Sequence, residues 1–284
     1  METGTFWVAT VAYALATLLV TGGIVFERQR LADIGHALAL TGFGAHSLSI
    51  IFRFVSTGRL PYVQDYETAL AGTWLIMTAY VLLVWRYPAL KVTGIVVFPF
   101  ALLALGYGLT QPSEAGPVVP ALKSIWLVIH VLFAWFTYAA YTTCAALAVI
   151  ELMKTGRRGL REGSLLARTP EVPALQDLTM RLVGFGFIVN TAMIASGAIW
   201  AFELWGSYWR WDPVETWSLL TWVAYGLYLH ARVTLGWRGR RLAWIAVLAL
   251  FGVMMSFWGV QFAPTSYHLF KSLGESTVEP GGRF

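Results

Sequence analysis

The chain has 284 residues, of which 57% are hydrophobic and only 12% charged, and its mean hydropathy is +0.63. An ordinary soluble domain carries about twice that share of charge, so the composition excludes one and requires an integral membrane protein. The formal charge of +5 does not point to nucleic acid either, because the basic residues sit in short loops between apolar runs, where they act as topology signals.

A helix needs roughly 17–25 apolar residues to cross the hydrocarbon layer. Eight segments meet that need, near residues 5–26, 32–55, 67–85, 92–110, 121–150, 178–204, 214–235 and 242–263. The first follows no basic stretch and precedes no small-residue cleavage site, so it is expected to remain as a span. Arg86-Tyr-Pro88 breaks the third from the fourth, and the proline-rich stretch 111–120 cannot continue a helix. The stretch 151–177 is the one sizeable loop on its side and reads as a basic, partly helical surface segment. The single cysteine, Cys144, lies inside the fifth apolar run, which leaves no disulfide framework, no CxxC redox pair and no thiolate metal site. With no internal repeat, residues 1–284 read as one polytopic domain, an all-α bundle of about eight transmembrane helices.

The basic residues orient this bundle. Arg28, Arg30, Arg86, Lys91, Lys154, Arg157, Arg158, Arg161, Arg168, Arg181, Arg232, Arg238, Arg240 and Arg241 fall on one side. Only Arg53, Arg59, Lys123, Arg210, Lys271 and Arg283 fall on the other. The positive-inside rule makes the first side cytoplasmic and places both termini outside.

Between the sixth and seventh runs lies Trp205-Gly-Ser-Tyr-Trp209-Arg210-Trp211-Asp212-Pro-Val-Glu215-Thr-Trp217. A lone tryptophan in a membrane protein is usually an interfacial anchor. Here the indoles concentrate in one outer connection, about 205–217, and make a shelf suited to a flat ligand. Asp212-Pro-Val-Glu215 has a structural reading of its own: an N-cap, a proline at the first helical position and a glutamate at the third form a capping box. The run resembles the tryptophan-rich WWD signature of haem-handling proteins, in the form found in the CcsA, or ResC, family of cytochrome c biogenesis proteins.

Depth along the helices sorts the five histidines. At about 1.5 Å per residue, His130 lies about 12 Å below the outer end of its span, and His230 about 25 Å below the tryptophan run. His36 begins the second span on the inner side, and His46 sits in that span's outer half. His268 follows the eighth span outside. Low-spin haem iron takes two axial ligands on opposite faces of the porphyrin, and His130 and His268 flank the tryptophan run on its own side of the membrane.

Three segments carry the resemblance further. Ser124 to Val131 resembles the family's first external histidine segment, Tyr225 to Arg232 its membrane histidine segment, and Gly259 to His268 its second external one. The sequence around His268, Ser-Tyr-His-Leu-Phe, departs from the family's usual Gly-Leu-His-Ser-Tyr. Gly58 to Glu67 is similar to an outer loop of the family, with Arg59 where a histidine is common.

The resemblance covers most of the chain from about residue 45. It implies that haem b is bound by Trp205, Trp209, Trp211, Trp217, Arg210 and Asp212, with His130 and His268 as axial ligands of the outer haem. His230 is implied as a ligand of an inner haem on the route outward, its second ligand coming from a partner subunit or from His36. Arg210 and Arg53 are candidates for pairing with haem propionates, and Arg232 is expected to snorkel.

The implied role is in system II cytochrome c maturation: haem is presented on the outer face of the plasma membrane, or of the thylakoid in a plastid-type protein. There it would be joined to the CxxCH thiols of apocytochrome c. The implied partners are a CcsB, or ResB, membrane protein, the apocytochrome and, indirectly, thiol-reducing proteins, and the chain would form part of a haem lyase. The competing readings are a non-enzymatic haem carrier or regulator, a CcmC-like haem delivery protein and a dihaem electron-transfer cytochrome. The last fits poorly, because His36 and His46 stand about 280° apart around one helix.

Overall fold

The computed structural model describes residues 1–114, 118, 120–156 and 163–258. All regular structure among them is helical. The helices are α1 (Glu2–Val25), α2 (Gln29–Thr57), α3 (Asp65–Arg86), α4 (Gly94–Leu109), α5 (Ile125–Gly156), α6 (Val172–Trp205), α7 (Pro213–Val233) and α8 (Arg240–Trp258), with short 3-10 turns at Pro88–Thr93 and Pro120–Lys123. Over the described residues each expected span overlaps one helix, the last five positions of the eighth span, 259–263, lying outside them. Seven segments are long and apolar enough to cross a membrane, and α7, which carries His230, Arg232 and several hydroxyl side chains, falls short of that measure. The chain is therefore a helical integral membrane protein.

Helices cannot gain much from the hydrophobic effect inside lipid, so small residues that allow close backbone approach do the packing. The α1–α2 hairpin shows this. A Cβ on Gly23 would lie 2.8 Å from the backbone nitrogen of Ala32, and one on Gly42 would lie 2.9 Å from the Tyr13 ring. Helix α5 occupies the middle of the bundle, against α3, α4, α6 and α8, and its run Ala139–Ala148 is buried. Deeper in, the rings of Tyr141 on α5 and Tyr225 on α7 stack at 3.5 Å and 7°.

Helix α6 begins earlier than the apolar run suggests, because buried Leu175 and Thr179 extend its packing face. At 34 residues it is about 51 Å long, well beyond a hydrocarbon layer of about 30 Å, so its ends project from the layer or the helix tilts. The segment before α6 is tied back to α5 by Lys154, whose Nζ donates to the carbonyls of Thr169 at 3.0 Å and Pro170 at 2.9 Å.

Hydrogen bonds gather the start of α1, the α2–α3 connection and the stretch after α4 at one end of the bundle. Buried Arg53 is the pin. Its Nε donates to Glu67 Oε1 at 3.0 Å, its Nη2 to Gln64 Oε1 at 2.7 Å and its Nη1 to the Ser113 carbonyl at 2.6 Å, and Glu2 lies 3.7 Å away. Ser124 Oγ donates to Glu203 Oε2 at 2.6 Å, joining the start of α5 to the end of α6. The tryptophan run opens from that same corner.

Candidate functional site

The site begins with a missing side chain. Gly197 on α6 faces His130 on α5 so closely that a Cβ there would lie 2.6 Å from His130 Nδ1. The imidazole fills that gap, and its Nδ1 lies 2.8 Å from the Met193 carbonyl oxygen. A carbonyl can only accept, so Nδ1 donates, and in the neutral ring Nε2 is then the nitrogen that holds the lone pair. Holding one ring nitrogen on a backbone carbonyl is how proteins fix the tautomer and orientation of a metal-binding histidine.

Two adjoining cavities meet at His130. One, of about 150 Å³, reaches between α3 and α5 to Tyr62, and the other, of about 50 Å³, reaches Tyr208 and Trp209. Tyr138, Trp200, Val214 and Ser256 line both. Each is smaller than the roughly 300 Å³ at which small-molecule pockets begin, and the tryptophan run supplies Trp209 to the wall of the smaller one. The donor chemistry fits haem iron: an imidazole oriented through Nδ1 can offer Nε2 as a ligand among aromatic walls.

The loop that supplies this wall is held by caps at both ends. Helix α6 stops at Gly206, which turns the chain with φ of 68°. Asp212 caps α7 as expected, its side chain accepting from the Val214 N–H at 2.9 Å. Glu215 completes the capping box and does more, since its Oε2 accepts from the N–H groups of both Asp212, at 3.2 Å, and Arg210, at 2.8 Å. One carboxylate thus grips the backbone on both sides of Trp211, and Trp211 adopts φ of 59°. Bulky residues avoid that left-handed region, and holding one there costs on the order of 1–3 kcal/mol.

The indoles do not form one flat shelf. Trp209 reaches the cavity at His130 and meets Trp211 edge-on at 5.8 Å and 88°. Trp205 packs on Trp200 at 5.5 Å and 62°. Trp211 is 69% exposed. Trp217 turns toward α8, where its ring meets Phe251 at 5.7 Å. Arg210 clamps the loop, donating from Nη2 to the Trp205 carbonyl at 2.5 Å with its Cζ 5.9 Å from that residue's ring centroid.

The other candidates are dispersed. His268 lies outside the described residues. His230 is exposed on α7. His36 Nδ1 lies 3.0 Å from Tyr80 Oη. Both ring nitrogens of buried His46 are engaged, with Tyr13 Oη at 3.3 Å and the Leu70 carbonyl at 3.0 Å. Neither His36 nor His46 lines the cavities at His130. Arg53, a candidate for a propionate, is committed to Glu67, Gln64 and Ser113. Arg232, expected to snorkel, pairs with exposed Asp177 at 3.0 Å. Gly197, Met193, Tyr138 and Trp200 were not legible as site residues; the one hint was the small-residue run Ala195-Ser-Gly197-Ala.

A membrane bundle of eight helices among the described residues, with a carbonyl-held imidazole beside a tryptophan-rich loop, defines the class. The family pattern described as "Cytochrome C assembly protein" matches residues 62–268, and the chain belongs to that family. The cytochrome c biogenesis protein CcsA of Guillardia theta is 31% identical over 267 residues, covering 87% of this chain and 88% of that protein. CcsA of Gloeobacter violaceus is 29% identical over 92% of this chain and 91% of its own length. CcsA of Chlamydomonas reinhardtii is 34% identical over 78% and 64%. Among solved structures, the cytochrome c haem lyase CcmF superposes with a TM-score of 0.69 at 18% identity, over 91% of this chain. The chain spans about half, 46%, of that lyase, so the likeness is one of fold. The chain is a CcsA-type cytochrome c biogenesis protein with a role in cytochrome c maturation.

Proposed function

We propose that the protein takes haem b as its cargo and presents it on the outer membrane face for covalent attachment to the CxxCH thiols of apocytochrome c. The observation that carries this reading is the imidazole of His130, held by the Met193 carbonyl with Nε2 as the donor nitrogen, on a cavity wall shared with Trp209. In the attachment, a cysteine S–H adds across a haem vinyl group: the S–H bond and the C=C π bond break, and C–S and C–H bonds form, with no outside oxidant or reductant. The protein's residues orient the cargo for that addition. His130 and His268 would ligate its iron, Trp209, on the cavity wall, would pack against it with Trp205, Trp211 and Trp217 of the same run, and Arg210 would pair with a propionate. Asp212 serves by setting where the loop ends and α7 begins.

His230 stands on an exposed face of α7, so an inner haem there takes its second ligand from another chain. A CcsB, or ResB, type subunit in the same plasma or thylakoid membrane fits that need, and the two chains together would form the synthase. A carrier without attachment activity is the second reading. It is favoured only if haem binds while apocytochrome is not converted.

The test is a spectrum. Purified His130→Gly should lose haem or shift its iron spectrum, and added imidazole should restore much of the original by refilling the vacant axial position. An unchanged spectrum would remove His130 from the site.

A further inference from the structure

Away from His130, a hollow of about 390 Å³ opens on the lipid-facing side of the bundle between α3, α5 and α6. Small side chains make room for it: Ala79, Ala139 and Ala140 line it where the helices face one another. Leu82, Phe136 and Phe185 line it from positions between 43% and 57% exposed, which leaves it open to the membrane. Along α3 the lining runs from Leu75 to Arg86, eleven residues apart, or about 16 Å. That is about half of a hydrocarbon layer of about 30 Å, so the hollow has the depth of one leaflet. Helices α3 and α6, its two sides, pack on α5 and hardly on each other.

Two cations stand at the inner end of the hollow. Arg86 lines it and is exposed, with Cζ 4.7 Å from the Tyr87 ring centroid and no hydrogen bond or ion pair among the described residues. Arg181 on α6 is exposed and has neither among those residues. It comes three residues after Leu178 and four before Phe185, both of which line the hollow, so it shares their face of the helix. Trp85, beside Arg86, is 80% exposed, and aromatic rings flanking an arginine at a helix end mark the headgroup level. Other cations at this end are already engaged: Lys91 with Asp33, Arg232 with Asp177, and Lys154 with the carbonyls of Thr169 and Pro170.

We propose that this hollow binds one anionic phospholipid, its acyl chains along α3 and α5 and its phosphate between Arg86 and Arg181. The charge bias of the loops puts that lipid in the inner leaflet. Guanidinium groups pair strongly with phosphate, and basic pockets between membrane helices hold acidic headgroups. Apolar walls alone would take any lipid tail, and the two cations without an ion pair select charge. A neighbouring hollow of about 230 Å³ between α2, α3 and α5 gives the contrast. Its lining is entirely apolar, and the arginine next in the chain to its Leu60 wall, Arg59, is paired with Glu67. The bound lipid bridges α3 and α6, and so steadies the helix that carries Met193 and Gly197.

The experiment reads lipid content and thermal midpoint on the full chain purified in a mild detergent. Co-purified lipid is identified by mass spectrometry, and the delipidated protein is then titrated with dioleoyl phosphatidylglycerol or with dioleoyl phosphatidylcholine. The wild type should keep a single anionic lipid per chain, and its midpoint should rise to a plateau with phosphatidylglycerol but not with phosphatidylcholine. High salt should shrink that difference by screening the phosphate. The double variant Arg86→Gln with Arg181→Gln should hold several-fold less anionic lipid and lose the difference, and Ala79→Phe, which fills the hollow from a half-buried position, should do the same. Arg238→Gln with Arg240→Gln removes two exposed charges at the same end and should match the wild type. Equal response to both lipids would overturn the proposal, as would a Arg86/Arg181 variant that keeps its preference or a Arg238/Arg240 variant that loses it. Loss of a co-expressed CcsB-type subunit from Ala79→Phe, with lipid content unchanged, would overturn it too and give the hollow to that subunit. Should Ala79→Phe not assemble, the two paired arginine variants decide the question between them.

Discussion

Gly197 is the residue on which the geometry of His130 turns. With no Cβ at that position the imidazole lies flat against α6 and reaches the Met193 carbonyl. With alanine there, the 2.6 Å approach to Nδ1 forces the ring away, and the hydrogen bond that fixes its tautomer goes with it. Loss of such an orienting partner typically weakens metal affinity by about 10–100-fold. Gly197→Ala should therefore insert and fold normally while haem titration shows affinity reduced by about that factor; unchanged affinity would make Gly197 a packing residue only. Trp211 gives the complementary case. Trp211→Gly removes a strained left-handed indole, so the thermal midpoint should rise while haem occupancy falls, a trade expected where strain is kept for function. A lower midpoint would mean that the side chain stabilises the loop by more than its backbone costs. His130 and Trp211 were visible in the sequence as residue types in a telling place. The role of Gly197 and the second grip of Glu215, on the Arg210 N–H, were not, because one depends on a neighbouring helix and the other on a backbone angle.

Among the elements, α3 is held by the strongest polar contacts outside the site. Glu67 is fully buried and accepts from Arg53 and from Arg59 at 2.6 Å, while Arg53 is 4% exposed. Removing one member of a buried pair strands the other charge, a loss of about 3–5 kcal/mol. Glu67→Ala should thus lower the thermal midpoint sharply, and the double change Arg53→Met with Glu67→Leu should recover much of the loss. A double variant no better than the single one would show that Gln64 and Ser113 depend on the Arg53 charge itself. The sequence made the helices legible, because apolar length alone decides whether a segment spans, and it made the Asp212–Glu215 capping box legible, because that motif is local. The partners of Arg53 were hidden for the opposite reason. Its partners Gln64, Glu67 and Ser113 lie 11, 14 and 60 residues away, and nothing in an apolar helix announces which outer loop its terminal cation will pin.

For the bundle as a whole, the interior contacts and the charge pattern bear independently on orientation. The pinning by Arg53 and the Ser124–Glu203 bond put the start of α1, the α2–α3 connection, the stretch after α4 and the tryptophan run at one end. The surplus of Arg and Lys, including Arg86, Arg232 and Arg240, lies at the other, which the positive-inside rule assigns to the cytoplasm. That rule predicts the site on the outer side, where thiol labelling should find it. Cys144 is the only cysteine in the chain and is buried, so the natural protein is a nearly silent background for thiol labelling. A membrane-impermeant maleimide applied to intact cells should label Glu114→Cys and Tyr208→Cys, both exposed. It should reach Glu27→Cys and Thr234→Cys, exposed at the opposite end, only after the membrane is opened. The reverse pattern would place the His130 site in the cytoplasm and remove the attachment reaction from this face. Labelling of all four in intact cells would show that the two ends are not separated by a bilayer, and the bundle would have to be oriented anew.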